Sequence, residues 1–150
     1  MSTETSSNIP DGYTPLVPGG QWLMHAGPIY QRTGPNGTVI VALRVDKQHT
    51  NMRGIAHGGM LVTLADSALG RNMNMTRKTV AAMVSVNLST DFIGAAKVGD
   101  WLEAHVEIRK HGTRLSFAEC QLRVADKVVV RCSGVFAVVE PLAPKEVPEG

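Results

Sequence analysis

Cysteine is scarce in this chain: Cys120 and Cys132 are the only two in 150 residues, without CxxC spacing and each inside an apolar segment. A disulfide scaffold or a thiolate zinc site is thereby excluded, and buried free thiols are expected. Aromatic residues make up 5% and the formal net charge is only +2, which gives no basis for a nucleic-acid surface. Long apolar runs are missing as well. No stretch approaches the ~20 residues of a membrane span, and Met1–Asn8 has neither a basic nor an apolar leader region. A cytoplasmic protein that touches no membrane is expected. The chain also lacks a GxSxG elbow, a GxGxxG turn and a Walker loop. His25, His49, His105 and His111 share no metal spacing, so neither a metal nor a cofactor is expected.

What is present suffices for one globular domain, since 43% of the residues are hydrophobic. Residues 1–20 and 141–150, rich in Pro, Gly, Ser, Thr and Glu, read as flexible tails around a single unit spanning 21–140. Thr38 to Asp46 follows a Pro35-Asn36-Gly37 turn signal and reads as a strand, with Val39, Val41, Leu43 and Val45 on one face. From Gly58 to about Asn74 the period lengthens. Leu61, Leu64, Ala65, Ala68 and Leu69 recur at helical spacing and predict one long amphipathic helix. Four strands follow, over Ala82–Phe92, Trp101–Arg109, Arg114–Val124 and Val128–Val139. The first should hold Ala82, Val84, Val86, Leu88 and Phe92 on one face and Ser85, Asn87, Ser89 and Asp91 on the other. Short links make them hairpins, and the sum is an α+β layout, an antiparallel β-sheet with one long helix.

The chemistry concentrates between Asn51 and Asp66, where His57-Gly58-Gly59 runs straight into the helix. Glycines there leave backbone N–H groups open to an oxygen, and the helix start adds partial positive charge. Asp66 is a carboxylate able to act as a base. Eight residues at ~1.5 Å rise place Gly58 and Asp66 about 12 Å apart along the axis. An aspartate cannot bridge that gap to one carbonyl. If both groups act on one substrate, one comes from a second subunit, and an isologous dimer with antiparallel helices supplies it twice. Gly59, Thr63, Asp66 and Gly70 fall within about 60° on the helix, away from the core stripe, and are small enough for close approach. Val62, Leu69 and Met73 flank Asp66 and should help shield it from water.

The run Asn51…His57-Gly58-Gly59…Leu64-Ala65-Asp66-Ser67-Ala68, followed by Thr90-Asp91-Phe92-Ile93-Gly94-Ala95-Ala96-Lys97-Val98-Gly99-Asp100, resembles the hotdog-fold acyl-CoA thioesterases of the phenylacetyl-CoA thioesterase (PaaI) type, over roughly residues 38–139. The resemblance implies an antiparallel sheet wrapped around one long central helix, homodimers often paired as homotetramers, and a site across the dimer interface that takes acyl-CoA without a metal. It further implies that the Gly58 N–H polarises the thioester carbonyl and that Asn51 assists or orients the substrate. Asp66 of the partner subunit would activate water or attack directly, and Ser85 would position the water. One departure is Gly94-Ala95, where relatives often have an Arg-Pro turn.

Each residue also has a plainer reading. Asp66 fits a solvated helix position, Asn51 a turn, Ser85 a polar strand face, and Gly58 and Gly59 a tight turn. His57 either satisfies backbone groups or orients substrate. Arg114 and Gly59 are candidate substrate contacts, but Arg114, like Arg53, Lys97, Arg109 and Lys110, also fits a solvated surface charge. Two other functions stay open: acyl-thioester hydration or dehydration, and acyl-CoA binding without catalysis.

Overall fold

Alternating apolar residues joined by short links dictate hairpins, and the second half of the chain forms them in succession. Strands β5 (Trp101–His111), β6 (Leu115–Val124) and β7 (Lys127–Val139) are antiparallel neighbours in a computed structural model that describes residues 8–17, 19–79 and 81–140. The expected tail 141–150 lies outside the described residues. Four further strands complete one sheet among them: β1 (Thr14–Pro15), β2 (Tyr30–Thr33), β3 (Val39–Arg44) and β4 (Ala82–Phe92), in the order β1-β2-β3-β5-β6-β7-β4. A short helix, α1 (Gln21–Ala26), precedes β2. The long helix, α2 (Gly58–Thr76), carries the chain from β3 to β4 at the far edge of the sheet.

That crossover decides where the core sits. α2 buries Leu61, Leu64, Ala65, Ala68, Leu69 and Met73 against the inner face, where Val41, Leu43, Leu102, Ala104, Cys120, Leu122, Val130 and Cys132 meet them. The sheet packs against this single helix from β3 round to β4. Asn72 is the buried polar exception on α2, wholly enclosed. Its amide accepts from the Val39 N–H at 2.8 Å and donates to the Val39 carbonyl at 3.0 Å, pinning the start of β3 to the helix. A buried amide so bonded is stabilising, whereas an apolar replacement would strand the strand-end groups.

Two expectations need correction. Part of the 1–20 segment is not a loose tail: β1 pairs with β2, Leu16 is buried, and the Tyr13 ring meets Trp101 edge-on at 5.0 Å. A two-residue strand leaves no periodic signal, and Pro15 is tolerated because β1 is an edge. The expected faces of β4 also fail. Register shifts between Ser85 and Asn87, so a bulge at Val86 reverses the alternation. Ser85 now pairs with buried Phe136 while Val84 and Val86 point outward, 48% and 58% exposed.

Candidate active site

A turn built from its own backbone presents the start of α2. The Asn51 side chain accepts from the Arg53 N–H at 2.9 Å, the Gly54 N–H donates to the Asn51 carbonyl at 3.0 Å, and Gly54 takes φ +77°. Glycine is suited to that left-handed position. The Ala56 N–H donates to the Ala96 carbonyl and the His57 N–H to the His49 carbonyl, each at 2.8 Å, which ties the loop to both flanks. His49 is itself buried, its Nδ1 accepting from the Asp46 N–H and its Nε2 donating to the Ala26 carbonyl.

His57 is the N-cap: its Nδ1 accepts from the Gly59 N–H at 2.8 Å. That favours the backbone-satisfying reading of this residue, with Nε2 unengaged among the described residues. Gly59 is small for a local reason, since a Cβ there would stand 3.1 Å from the capping Nδ1. The Gly58 N–H, one of the donors a helix start leaves unpaired, has no acceptor among the described residues. The Phe92 ring walls this position, 3.4 Å from where a Cβ on Gly58 would be.

Two helical turns later lies the second group. Ser85 Oγ donates to Asp66 Oδ1 at 2.5 Å, so β4 orients a half-buried carboxylate on α2. With the bulge at Val86, Ser85 falls on the face of β4 toward α2, where it stays exposed. Cys132, on the neighbouring strand, has its thiol pushed up by burial first, with the Asp66 charge adding to the shift and the bond from Thr90 opposing it. Cys120, its cross-strand partner, is pushed up further, again mainly by burial. Both are neutral free thiols at ordinary pH.

The structure thus assembles Asn51, His57, Gly58 and Gly59 at one end of α2 and Asp66 with Ser85 further along it. Arg114 joins neither group. Its carbonyl accepts from the Val138 N–H, two residues past the row Ser85–Phe136–Ser116 and away from Phe92. The helix face expected to be kept small for a second helix is partly explained within the chain: a Cβ on Gly70 would stand 3.3 Å from the Phe136 ring. Leu69, as expected of the core stripe, and Met73 are wholly buried. Sequence reasoning missed Phe92 as the wall at Gly58, and Trp22, whose indole N–H donates to Thr63 Oγ on α2 at 3.1 Å. The six-residue α1 is too short to betray itself by periodicity.

Among the described residues no helix is long and apolar enough to cross a membrane. A family model described as the thioesterase superfamily matches residues 53–131. The chain is 43% identical over 129 residues to Putative esterase PA0474 of Pseudomonas aeruginosa, covering 86% of this chain and 96% of that protein. It is 34% identical over 84 residues to acyl-coenzyme A thioesterase 13 of Mus musculus, covering 56% of this chain and 59% of that one. The E. coli PaaI protein from the phenylacetic acid degradation operon shares the fold, with a TM-score of 0.71 at 24% identity over 80% of this chain and 86% of that one.

Proposed function

This chain belongs to the thioesterase superfamily, and we propose that it hydrolyses an acyl-CoA to the free acid and CoA in a site shared between two subunits. The observation that carries the reading is the pairing, on one helix, of an unengaged Gly58 N–H at the start and a Ser85-oriented Asp66 two turns on. The thioester oxygen takes the Gly58 N–H. Negative charge builds on that oxygen in the transition state, and a fixed backbone donor at a helix N-terminus stabilises it without reorganising. Asp66 of the partner subunit takes a proton from water as its oxygen bonds to the carbonyl carbon; the C–S bond then breaks and the CoA sulfur leaves with a proton. Alternatively the carboxylate attacks first and water releases it.

The partner is required by length, since about 12 Å of helix separates the two groups within one chain. An antiparallel two-fold pairing of α2 brings them together twice, and pairs of dimers give a tetramer. Asn51, with its carbonyl oxygen held by Arg53, keeps its NH₂ to orient the substrate. Ser85 fixes the carboxylate, and His57 serves through its cap. Gly59 lines the same entry, while Arg114 is left for the CoA phosphates of a site completed by another subunit. Residues 21–140, with β1 docked on them, form the working domain.

A panel of acyl-CoAs read with a thiol-detecting reagent tests this. Release of CoA is expected, and Asp66→Ala should lower it by about a thousandfold, within the range for a lost general base. An inert wild-type protein, or an active Asp66→Ala variant, overturns the reading. Single turnover in heavy-oxygen water then separates the two routes by whether label enters Asp66.

A further inference from the structure

We propose that Trp22 sets an upper limit on the length of the acyl group: the acyl chain enters a hollow between α1 and the first turns of α2, and the indole closes it. The inference rests on the placement of the thioester at Gly58. The hollow, about 350 Å³, begins beside His57 and Gly59, next to the proposed carbonyl site, and runs past Met60 to Thr63 and Trp22. Thr63 lies one helical turn beyond Gly59, about 6 Å along the axis. A carbonyl held by Gly58 therefore has its acyl carbons at the mouth of this space.

The lining suits hydrocarbon because most of its polar groups are already occupied, His25 and His57 Nε2 being the exceptions. Thr63 Oγ accepts from the Trp22 indole and donates to the Gly59 carbonyl. Both ring nitrogens of His49 are bonded, Gln48 Nε2 donates to the Gly27 carbonyl at 2.7 Å, and His57 Nδ1 holds the cap. Trp22, Met60 and Ala26 supply its apolar lining, with His25 and Thr63 beside them. Trp22 remains 73% exposed, so the core does not explain its position. The hydrogen bond to α2 does, and it fixes a large aromatic surface across the hollow. A dry cavity of ~150 Å³ holds one benzene ring. A hollow of about 350 Å³ has room for a medium-length or ring-bearing acyl group, and a longer chain laid along α2 meets the indole.

Saturated acyl-CoAs of increasing length, assayed with wild type, Trp22→Ala, Trp22→Phe and Ala26→Leu, test the limit. For wild type, kcat/KM should climb about fourfold per methylene, the worth of burying each one, and then stop climbing. Trp22→Ala should let the climb continue into longer chains. Trp22→Phe, which keeps a ring but loses the bond to Thr63, should keep the limit near its place, and Ala26→Leu should shorten it. An unchanged length profile in both Trp22→Ala and Ala26→Leu overturns the proposal, as does a uniform loss at all lengths in Trp22→Ala. If wild type hydrolyses nothing, the thioesterase reading fails separately. Calorimetry with S-octyl- and S-hexadecyl-CoA thioethers then decides the pocket: Trp22→Ala must tighten only the hexadecyl compound, and equal affinities in the two proteins overturn it.

Discussion

The two ends of the proposed site are built differently. The Gly58 end is locked by backbone: the Asn51 turn, the Ala56 and His57 N–H bonds and the His57 cap hold the helix start from several sides. The Asp66 end depends on one side-chain bond from Ser85, on a bulged strand at the edge of the sheet. An oxyanion donor is a backbone group and must be fixed before the substrate arrives. A base needs only the right orientation and a reachable proton. The first kind of group is completed by its own chain, while the second sits on an edge open to a neighbour.

The largest effect that can break this division comes from Gly58→Pro. Proline removes the N–H yet suits the first helical position, and His57, at φ −66° and ψ 135°, already has the backbone a preceding residue needs. Turnover should fall about a hundredfold, the worth of one oxyanion donor, with the melting temperature little changed. Mixing this variant with Asp66→Asn and reassembling the subunits should restore roughly a quarter of wild-type activity, because half the dimers are mixed and each has one intact site. No recovery on mixing would place both groups' work within one chain and overturn the shared site.

Ser85→Ala tests the weaker end. Removal of the one hydrogen-bond partner that the Asp66 carboxylate has among the described residues should cost about tenfold in kcat, in keeping with one charge-assisted hydrogen bond, with KM unmoved. A larger change in KM than in kcat would mean that Ser85 meets substrate instead of the base.

How much of this was legible in the sequence follows the same division. α2 and the four strands after it announce themselves because each is long enough for its period to repeat, and the spacing from Gly58 to Asp66 is a property of one helix. The faces of β4 were not legible, since a bulge depends on the strand it pairs with, and Val86 looks like any other alternating valine. β1, α1 and β2 were missed because two to six residues carry no period and are held by distant contacts such as Tyr13 on Trp101 and Trp22 on Thr63. His57 could be singled out as a candidate site residue, but its cap to the Gly59 N–H is visible only in the geometry.

That cap gives a smaller effect. His57→Ala removes the acceptor for the Gly59 N–H and should lower stability by about 1 kcal/mol, the usual worth of an N-cap. His57→Asn, which caps equally well, should recover it, and both should keep kcat within severalfold. A hundredfold fall in His57→Asn would make the imidazole a participant in the chemistry and move it from scaffold to reactant.

The smallest effect lies on the sheet, away from both ends. His105 on β5 has its pKa lowered from an ordinary 6.5, chiefly by burial, with Arg123 and Arg32 adding to the shift and Glu103 opposing it. His111 is lowered too, by burial and by Arg77. A histidine lowered in the folded state binds fewer protons there than in the unfolded chain. Stability is therefore present above about pH 6.5 and is lost as pH falls from there through the folded values, below which the loss is complete. Melting temperatures measured between pH 7.5 and 5 should decline in that window, and the decline should be shallower in His105→Gln with His111→Gln. Catalysis by the double variant should be unchanged at pH 7.5, since neither residue borders Gly58 or Asp66. An equally steep decline in the double variant would move the acid sensitivity from the sheet to the carboxylates, and so to the Asp66 end.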